Sequence, residues 1–187
     1  MQEKLFPFWT EFIKCFEEKI INLGACKCGV DCIKTHTVKR GKIDGLTPEK
    51  FVENAEEESI LHLIDVDFYN GREMNFGVYS ELSGIFELWV DAAPRVVDDV
   101  MDVLVSGADL AIVNDALLYR RTRIEDILEL TTNVALKSYN LGMIQRFQVL
   151  GGKKVITSKN IAVRLSTGEI YLQRRGAICK WTQEQRD

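Results

Sequence analysis

The stretch ELWVDAAPRVVDDVMDVLVSGADLAIVNDALL, residues 87–118, decides the fold class of this chain. It begins with an apolar run that ends in an acid, continues with apolar residues at helical spacing, and closes with a second apolar run. Segments of the same type extend on both sides, from about residue 60 to about residue 140. Such alternation indicates parallel strands joined by right-handed crossover helices. We therefore predict an α/β protein, organised as a partial or modified βα barrel (TIM barrel-like) with parallel strands.

The chain divides into three parts within one predicted domain, residues 1–187. Residues 59–150 form the βα-repeat core, with strands at ILHLIDVDF, FELWVDA, DLAIVND and NVALKSY. Residues 1–58 combine an amphipathic N-terminal helix with an irregular, cysteine-containing segment. Residues 151–187 predict a C-terminal β-hairpin that turns at residues 166–169, because β-rich runs flank that turn.

The length of the chain raises a question about closure of the barrel. A complete eight-stranded βα barrel typically needs about 250 residues, and this chain has 187. Two solutions stay open: the hairpin covers the open edge of an incomplete barrel, or a second copy completes it. Because an uncovered sheet edge promotes association, we expect a homodimer.

Composition limits the classes of partner and the compartment. The net charge of −4 disfavours nucleic acid as the main partner. No apolar run is long enough to span a membrane, and the start Met1-Gln2-Glu3-Lys4 is not a secretory signal. The five cysteines of a chain without an export signal are expected to be reduced thiols, which predicts a cytoplasmic protein.

Acidic side chains follow the predicted strands at their carboxyl ends, where α/β proteins place their sites. Asp65 and Asp67 end one strand, Asp91 ends the next, and Asp115 follows the third. We predict catalytic roles for Asp65, Asp67 and Asp91. The alternative is that these acids cap helices and accept hydrogen bonds from loop N–H groups.

Three further residues are candidate ligand contacts: Arg95, Asn114 and Asp115. Arg95 has two interpretations, an anion clamp or an ion-pair partner of Asp91. His62 lies inside a buried strand pattern, which favours a core histidine with a satisfied hydrogen bond.

Cys26, Cys28, Cys32 and His36 form a candidate metal site. Thiolates and imidazole at short spacing suit zinc or an iron–sulfur cluster, although the spacing matches no standard zinc pattern. The alternative is a set of ordinary reduced thiols.

The core segments also carry a family resemblance. The stretches LHLIDVDFYNG, NFGVYSELS, LWVDAAPRVVDDVMDVLVSGADLAIVNDALL and NVALKSYN together resemble the histidine-biosynthesis βα barrels, HisA/HisF, and most closely the HisA/HisF-related proteins of archaea and methylotrophs. That family includes the aminoimidazole carboxamide ribotide isomerase and the cyclase subunit of imidazole glycerol phosphate synthase. The resemblance implies a divergent, truncated barrel that binds a small phosphorylated or polar metabolite.

Departures from the family pattern narrow that expectation. The isomerases use one acid at the end of the first strand and one at the end of the fifth, whereas the matching fifth strand here ends Ser138-Tyr139-Asn140. Asp31 is the candidate for the first-strand acid. Ala92-Ala93-Pro94 replaces a glycine-rich phosphate turn. We therefore expect that the chain is not the histidine-pathway isomerase; the alternative function is a non-catalytic, barrel-derived protein for self-assembly or partner binding.

Overall fold

The computed structural model describes residues 32–55, 58–118 and 123–182. The strands of this part are β1 (Cys32–Lys39), β2 (Lys42–Ile43), β3 (Ile60–Asp65), β4 (Glu87–Asp91), β5 (Leu110–Asn114), β6 (Val134–Lys137), β7 (Lys154–Thr157), β8 (Glu169–Arg174) and β9 (Ala177–Lys180). Its helices are α1 (Pro48–Asn54), α2 (Val66–Tyr69), α3 (Phe76–Leu82), α4 (Val97–Val105), α5 (Asp115–Leu118), α6 (Ile124–Leu130), α7 (Leu141–Val149) and α8 (Lys159–Ala162).

The strands close into a barrel within one chain. Their order is β1-β3-β4-β5-β6-β7-β8-β9, and β9 returns to pair with β1. Strands β1 and β3 to β8 run parallel, while β9 runs antiparallel to both of its neighbours. The short strand β2 pairs with the last residues of β1. The prediction of a modified α/β barrel is confirmed at this level, as a closed barrel of mixed strand direction.

Closure corrects the expectation of an incomplete barrel. Neither an open edge nor a second copy is needed, because the final strand fills the gap between β8 and β1. The argument for a homodimer from an open edge is therefore lost, and the dimer stays a prediction without that support.

The core strands predicted from continuous apolar runs are confirmed as β3, β4, β5 and β6. Their residues are almost entirely buried, because helices cover one face of the sheet and the lumen lies on the other. Leu61, Leu63, Leu88 and Val90 belong to the outer core beneath the helices. The second apolar cluster fills the lumen and consists of Ile33, Trp89, Leu110, Ile112, Ala135, Ile156, Tyr171 and Ile178.

Two parts of the sequence prediction for the ends of the chain are wrong. The segment assigned as irregular contains β1. Its sequence CIKTHTVK does not show the apolar pattern of a strand, because threonines and lysines occupy half of its positions. The C-terminal hairpin exists, but it turns at Arg175 and Gly176 between β8 and β9, with Gly176 at a φ of 69°. Strands β7 and β8, which flank the predicted turn at 166–169, run parallel to each other.

The predicted N-terminal helix, Asp31, Cys26 and Cys28 lie outside the described residues. Asp31 precedes the first residue of β1 in sequence, whereas the family's first-strand acid ends its strand. No helix in the described part of the chain is both long and apolar enough to cross a bilayer.

A disulfide bond joins the two strands that close the barrel. Cys32 of β1 and Cys179 of β9 are direct partners in the antiparallel register, and their sulfurs are bonded across a sequence separation of 147. The expectation that the cysteines are reduced thiols is therefore wrong for these two residues. The bond lies at the amino end of β1, which is the end of the barrel opposite to the carboxyl ends of the parallel strands.

We predict that reduction of this disulfide lowers the free energy of unfolding by about 2–5 kcal/mol, because the bond restricts the unfolded chain across a long loop. Urea denaturation with and without dithiothreitol measures the change. A Cys32→Ser variant is the matched control and is expected to be insensitive to the reductant. Equal stability of the wild-type protein in both conditions would contradict the prediction.

Candidate functional site: the barrel mouth

The floor of the lumen is closed by aromatic side chains. Trp89 of β4 meets Tyr171 of β8 from across the barrel, with ring centroids 5.0 Å apart and the planes nearly perpendicular. The Lys154 ammonium lies 5.3 Å from the Trp89 ring centroid. This packing fills the lower lumen, and the opposite end of the barrel is formed by the carboxyl ends of the parallel strands. We call that end the barrel mouth.

An ion pair lies just above this floor. Asp91 follows Trp89 by two positions on β4, and Lys137 follows Ala135 by two positions on β6, so both side chains face the lumen. The Lys137 Nζ atom is 2.7 Å from Asp91 Oδ2. The Asp91 carboxylate is fully buried, while 16% of the Lys137 side chain is accessible to solvent. Lys137 is thus the member of the pair whose side chain reaches solvent.

Both charges of the pair are maintained. Burial alone would raise the pKa of Asp91, but the Lys137 charge and the hydrogen bonds from Lys137 and Tyr69 hold it below its usual value. Burial alone would lower the pKa of Lys137, but Asp91 raises it above its usual value. The pair therefore exists as carboxylate and ammonium at neutral pH.

Tyr69 completes the coordination of Asp91. This residue ends α2, the single turn that follows β3, and its hydroxyl donates to Asp91 Oδ1 over 2.6 Å. Burial and the negative charge of Asp91 raise the pKa of Tyr69 well above its usual value. The phenol therefore stays protonated and acts as a donor. Asn114, at the end of β5, is a further hydrogen-bond partner of Tyr69.

His62 lies in the same lumen, on β3. Its Nδ1 atom is 2.9 Å from the Thr35 hydroxyl of β1, which confirms the interpretation as a buried histidine with a hydrogen bond. Burial lowers its pKa to about 3, so the ring is neutral. Its Nε2 atom is also buried and has no hydrogen-bond partner in the described structure. A buried polar atom without a protein partner is uncommon and points to a ligand or water at that position.

Asp65 and Asp67 are engaged in loop structure. Asp65 is the N-cap of α2, and its carboxylate accepts from the backbone N–H groups of Asp67 at 3.0 Å, Phe68 at 3.1 Å and Asn75 at 2.8 Å, and from the Tyr79 hydroxyl. These contacts correspond to the capping alternative, and Tyr79 belongs to α3 in the helix layer. The catalytic assignment of Asp65 stays a prediction that its contacts do not support.

Asp67 has a similar role on α2. It accepts from the Arg40 backbone N–H, from Arg72 Nη1 at 3.0 Å and from the Asn75 amide at 3.1 Å. Burial would raise the pKa of Asp67, but these hydrogen bonds lower it. Asp65 and Asp67 therefore meet at Asn75 and fasten the loops after β1 and β3, while Asp91 alone of the three faces the lumen.

Arg95 lies beside Phe68 rather than Asp91. Its Nη2 atom donates to the Phe68 carbonyl over 2.6 Å, and the guanidinium lies 4.2 Å from the centre of the Phe68 ring. The backbone N–H groups of Arg95 and Val96 donate to the Asp99 carboxylate at 2.6 and 3.1 Å. The protein's own acid thus occupies donors that a phosphate would use at the start of α4. Of the two interpretations of Arg95, the ion pair with Asp91 is wrong, since Lys137 fills that position.

Asp115 stands at the start of α5, beside Ser138 of the neighbouring strand end. Burial raises the pKa of Asp115, and the Ser138 hydroxyl lowers it less. Its buried Oδ1 atom has no hydrogen-bond partner in the described structure. Asn114 and Asp115 therefore both lie at the mouth, as a ligand-binding role requires.

Two of the four predicted metal ligands, Cys32 and His36, have other partners, while Cys26 and Cys28 lie outside the described residues. Cys32 is bonded to Cys179, so its thiolate is not available to a metal. His36 binds carboxylates through both ring nitrogens, with Nδ1 2.7 Å from Asp44 and Nε2 3.0 Å from Glu58. Within residues 32–55, 58–118 and 123–182, no group of three or more histidine, cysteine or acidic side chains is arranged to hold a metal ion.

Sequence reasoning missed Lys137 and Tyr69. The strand NVALKSY was predicted, and its lysine is the charged residue of an apolar run, which is a signal for a buried ion-pair partner. No comparable signal marks Tyr69. Comparisons with known proteins add no assignment, because no protein-family model matches the chain and no curated protein matches its sequence.

We predict that Lys137→Met lowers the free energy of unfolding by about 3–5 kcal/mol, because it leaves the Asp91 carboxylate buried without its partner. The double variant Asp91→Asn/Lys137→Met is expected to recover most of that loss. Urea denaturation of the wild-type protein, both single variants and the double variant gives the coupling energy. Simple addition of the two single effects would refute a coupled pair.

The two histidines of the chain are expected to respond to pH in opposite ways. Burial lowers the pKa of His36, but Asp44 and Glu58 raise it further, so the net shift is above 6.5. Imidazole nitrogen NMR should show one ring titrating above 6.5, and His62 remaining neutral as far as the fold persists towards pH 3. Two rings titrating near 6.5 would contradict both environments.

A histidine whose pKa differs between the folded and unfolded states makes the free energy of unfolding depend on pH. The raised pKa of His36 adds stability that is fully present below 6.5 and is lost as pH rises through the folded-state pKa. The lowered pKa of His62 removes stability as pH falls from 6.5 towards about 3. The stability difference between the wild-type protein and His36→Gln should therefore be largest below pH 6.5 and shrink in alkaline buffer.

Proposed function

We propose that the protein binds a small polar metabolite at the barrel mouth, as a HisA/HisF-like barrel that does not catalyse the histidine-pathway isomerisation. The observation that carries the proposal is the Asp91–Lys137 pair inside a closed lumen. Burying two charges costs more than their attraction returns in many proteins, so such a pair is weak evidence for a stabilising role. Perturbed ionisable groups in a cleft at strand ends are instead typical of functional sites.

The chemistry of the mouth favours an oxygen-rich ligand. An ammonium has three N–H donors, and the contact with Asp91 uses one of them. Asn114 and Asp115 adjoin the same opening, and His62 Nε2 lies deeper in the lumen without a partner. A small molecule with carbonyl, carboxylate or phosphate oxygens would be recognised by the Lys137 ammonium together with the polar side chains beside it.

The absence of the isomerase reaction is supported by the end of β6. This strand holds the fifth place among the long strands of the barrel order, and its carboxyl end carries Lys137 and Ser138 instead of an acid. General acid–base catalysis by two facing acids would need a carboxylate there. A lysine at this position replaces an acid–base group with a cationic one.

The second candidate function is a non-catalytic protein that assembles with itself or with a partner. Exposed apolar residues at the ends of three helices favour it: Val105 is 83% exposed, Leu130 59% and Val149 86%. These residues end α4, α6 and α7, which return the chain to the amino ends of the parallel strands, opposite to the mouth. This alternative places the functional surface on the other face of the barrel.

A thermal-shift screen with sugar phosphates, small carboxylic acids, hydroxyaldehydes and divalent metal ions tests the proposal. A ligand present at about 100 times its Kd is expected to stabilise the folded state by about 2.7 kcal/mol. Lys137→Gln should abolish the shift, because it removes the cation at the mouth.

Lys154→Gln is the matched control, since this lysine lies over Trp89 at the floor of the lumen. It should retain the ligand-induced shift. If no compound in the screen shifts the wild-type protein and sedimentation shows self-association, the assembly function replaces the metabolite proposal.

A further inference from the structure

The amine of Lys137 has the position of a covalent nucleophile. Its Nζ atom stands at the carboxyl end of a barrel strand, in a lumen whose floor is closed by Trp89 and Tyr171. The side chain of Lys137 is 16% exposed, while its carboxylate partner is fully buried. Lysine amines in apolar sites form imines with carbonyl substrates in covalent catalysis.

We infer that Lys137 forms a protonated imine with a small aldehyde or ketone bound at the barrel mouth, an inference that rests on the proposed function of that site. The substrate class is a compact carbonyl compound with further oxygen substituents. Size is limited by the lumen, since the aromatic pair lies one side-chain layer below Asp91 and Lys137.

The reaction balances without an oxidant or a reductant. The ammonium of Lys137 first gives a proton to Asp91, and the free amine then attacks the carbonyl carbon, forming a C–N bond and breaking the C=O π bond. The carbonyl oxygen takes up the proton held by Asp91, and nitrogen then loses a second proton to the Asp91 carboxylate, which leaves a neutral carbinolamine. Asp91 returns this proton to the hydroxyl group, which departs as water while the nitrogen–carbon double bond forms. The net change is RNH3+ plus O=CR2 to RNH+=CR2 plus H2O.

The ion pair is compatible with both ends of this reaction. The starting ammonium and the final iminium each carry one positive charge next to Asp91, so the carboxylate stabilises the two states in the same way. The amine is neutral only in between. Because Asp91 raises the pKa of Lys137, formation of the imine should become faster as the pH rises above neutrality.

Two further polar side chains interact with the ion pair, Tyr69 through a hydrogen bond and His62 electrostatically. Tyr69 stays protonated and already donates to Asp91 Oδ1, so it holds the carboxylate that exchanges protons with the amine. His62 Nε2 is a buried polar atom with no partner in the described residues, on the strand next to β4. Tyr69 acts through Asp91 and is therefore a positioning residue.

Reductive trapping tests the inference on the full-length protein. The probes are glycolaldehyde, dihydroxyacetone phosphate and pyruvate, each with sodium cyanoborohydride, which converts an iminium into a stable secondary amine. Intact-mass analysis should show one adduct with at least one probe, and peptide mapping should place it on Lys137. The rate of trapping should rise with pH.

Lys137→Arg and Lys154→Arg are the matched variants. Lys137→Arg keeps a cation beside Asp91 but has no amine that forms an imine, so it should lose the mapped adduct. Lys154→Arg should keep it. Peptide mapping of the wild-type protein tests the inference even if a variant does not fold. Modification of other lysines alone, or no modification by any probe, overturns the inference.

Failure of imine formation at Lys137 can be distinguished from failure of ligand binding at the barrel mouth. If compounds from the thermal-shift screen stabilise the protein but none of the probes is trapped on Lys137, the mouth binds its ligand without a covalent bond and only this inference fails. If neither stabilisation nor trapping occurs, both fail. Ligand binding retained in Lys137→Arg, together with loss of the adduct, supports both.

Discussion

Pairing of the last strand with the first is the constraint on which the rest of the molecule depends. A parallel strand in the final position would need a crossover connection of a dozen or more residues, whereas an antiparallel strand needs only a tight turn. The chain uses two residues, Arg175 and Gly176, between β8 and β9. Closure in a short chain therefore follows from reversing one strand direction. The Cys32–Cys179 bond fastens that seam at the amino end of β1.

Closure also determines the electrostatics of the interior. In an open sheet, the groups on the inner face would be solvated and a lysine there would be an ordinary surface cation. Inside the barrel, Trp89 and Tyr171 exclude water from below, and the carboxylate of Asp91 loses all contact with solvent. Its charge then requires both Lys137 and Tyr69 as partners. The same enclosure leaves His62 Nε2 buried without a hydrogen-bond partner in the part of the chain that the structure describes.

The sequence predicts the parts of the fold whose residues are buried on both faces. Continuous apolar runs identify β3 to β6, because such strands lie between helices and a filled lumen. Strand β1 is not predicted in this way because it has no continuous apolar run. Its threonines contact other polar groups, such as Thr35 with His62. The direction of β9 cannot be read from AICK, which suits either orientation. Lys137 is missed for a related reason: it meets Asp91 only through the strand order of the sheet, two strands away, which the sequence does not show.

Strand register decides which acids of the mouth face the lumen. The segments LID and WVD look equivalent in sequence, since each is an apolar run that ends in aspartate. In the sheet, Ile64 and not Asp65 is the register partner of Asp91. Asp65 therefore points to the helix layer, where it meets Tyr79, and Asp91 points to the lumen, where it meets Lys137. A register offset of one residue therefore places Asp65 among the loop contacts and Asp91 in the lumen. The sequence does not distinguish the two aspartates, because both follow uniformly apolar strands.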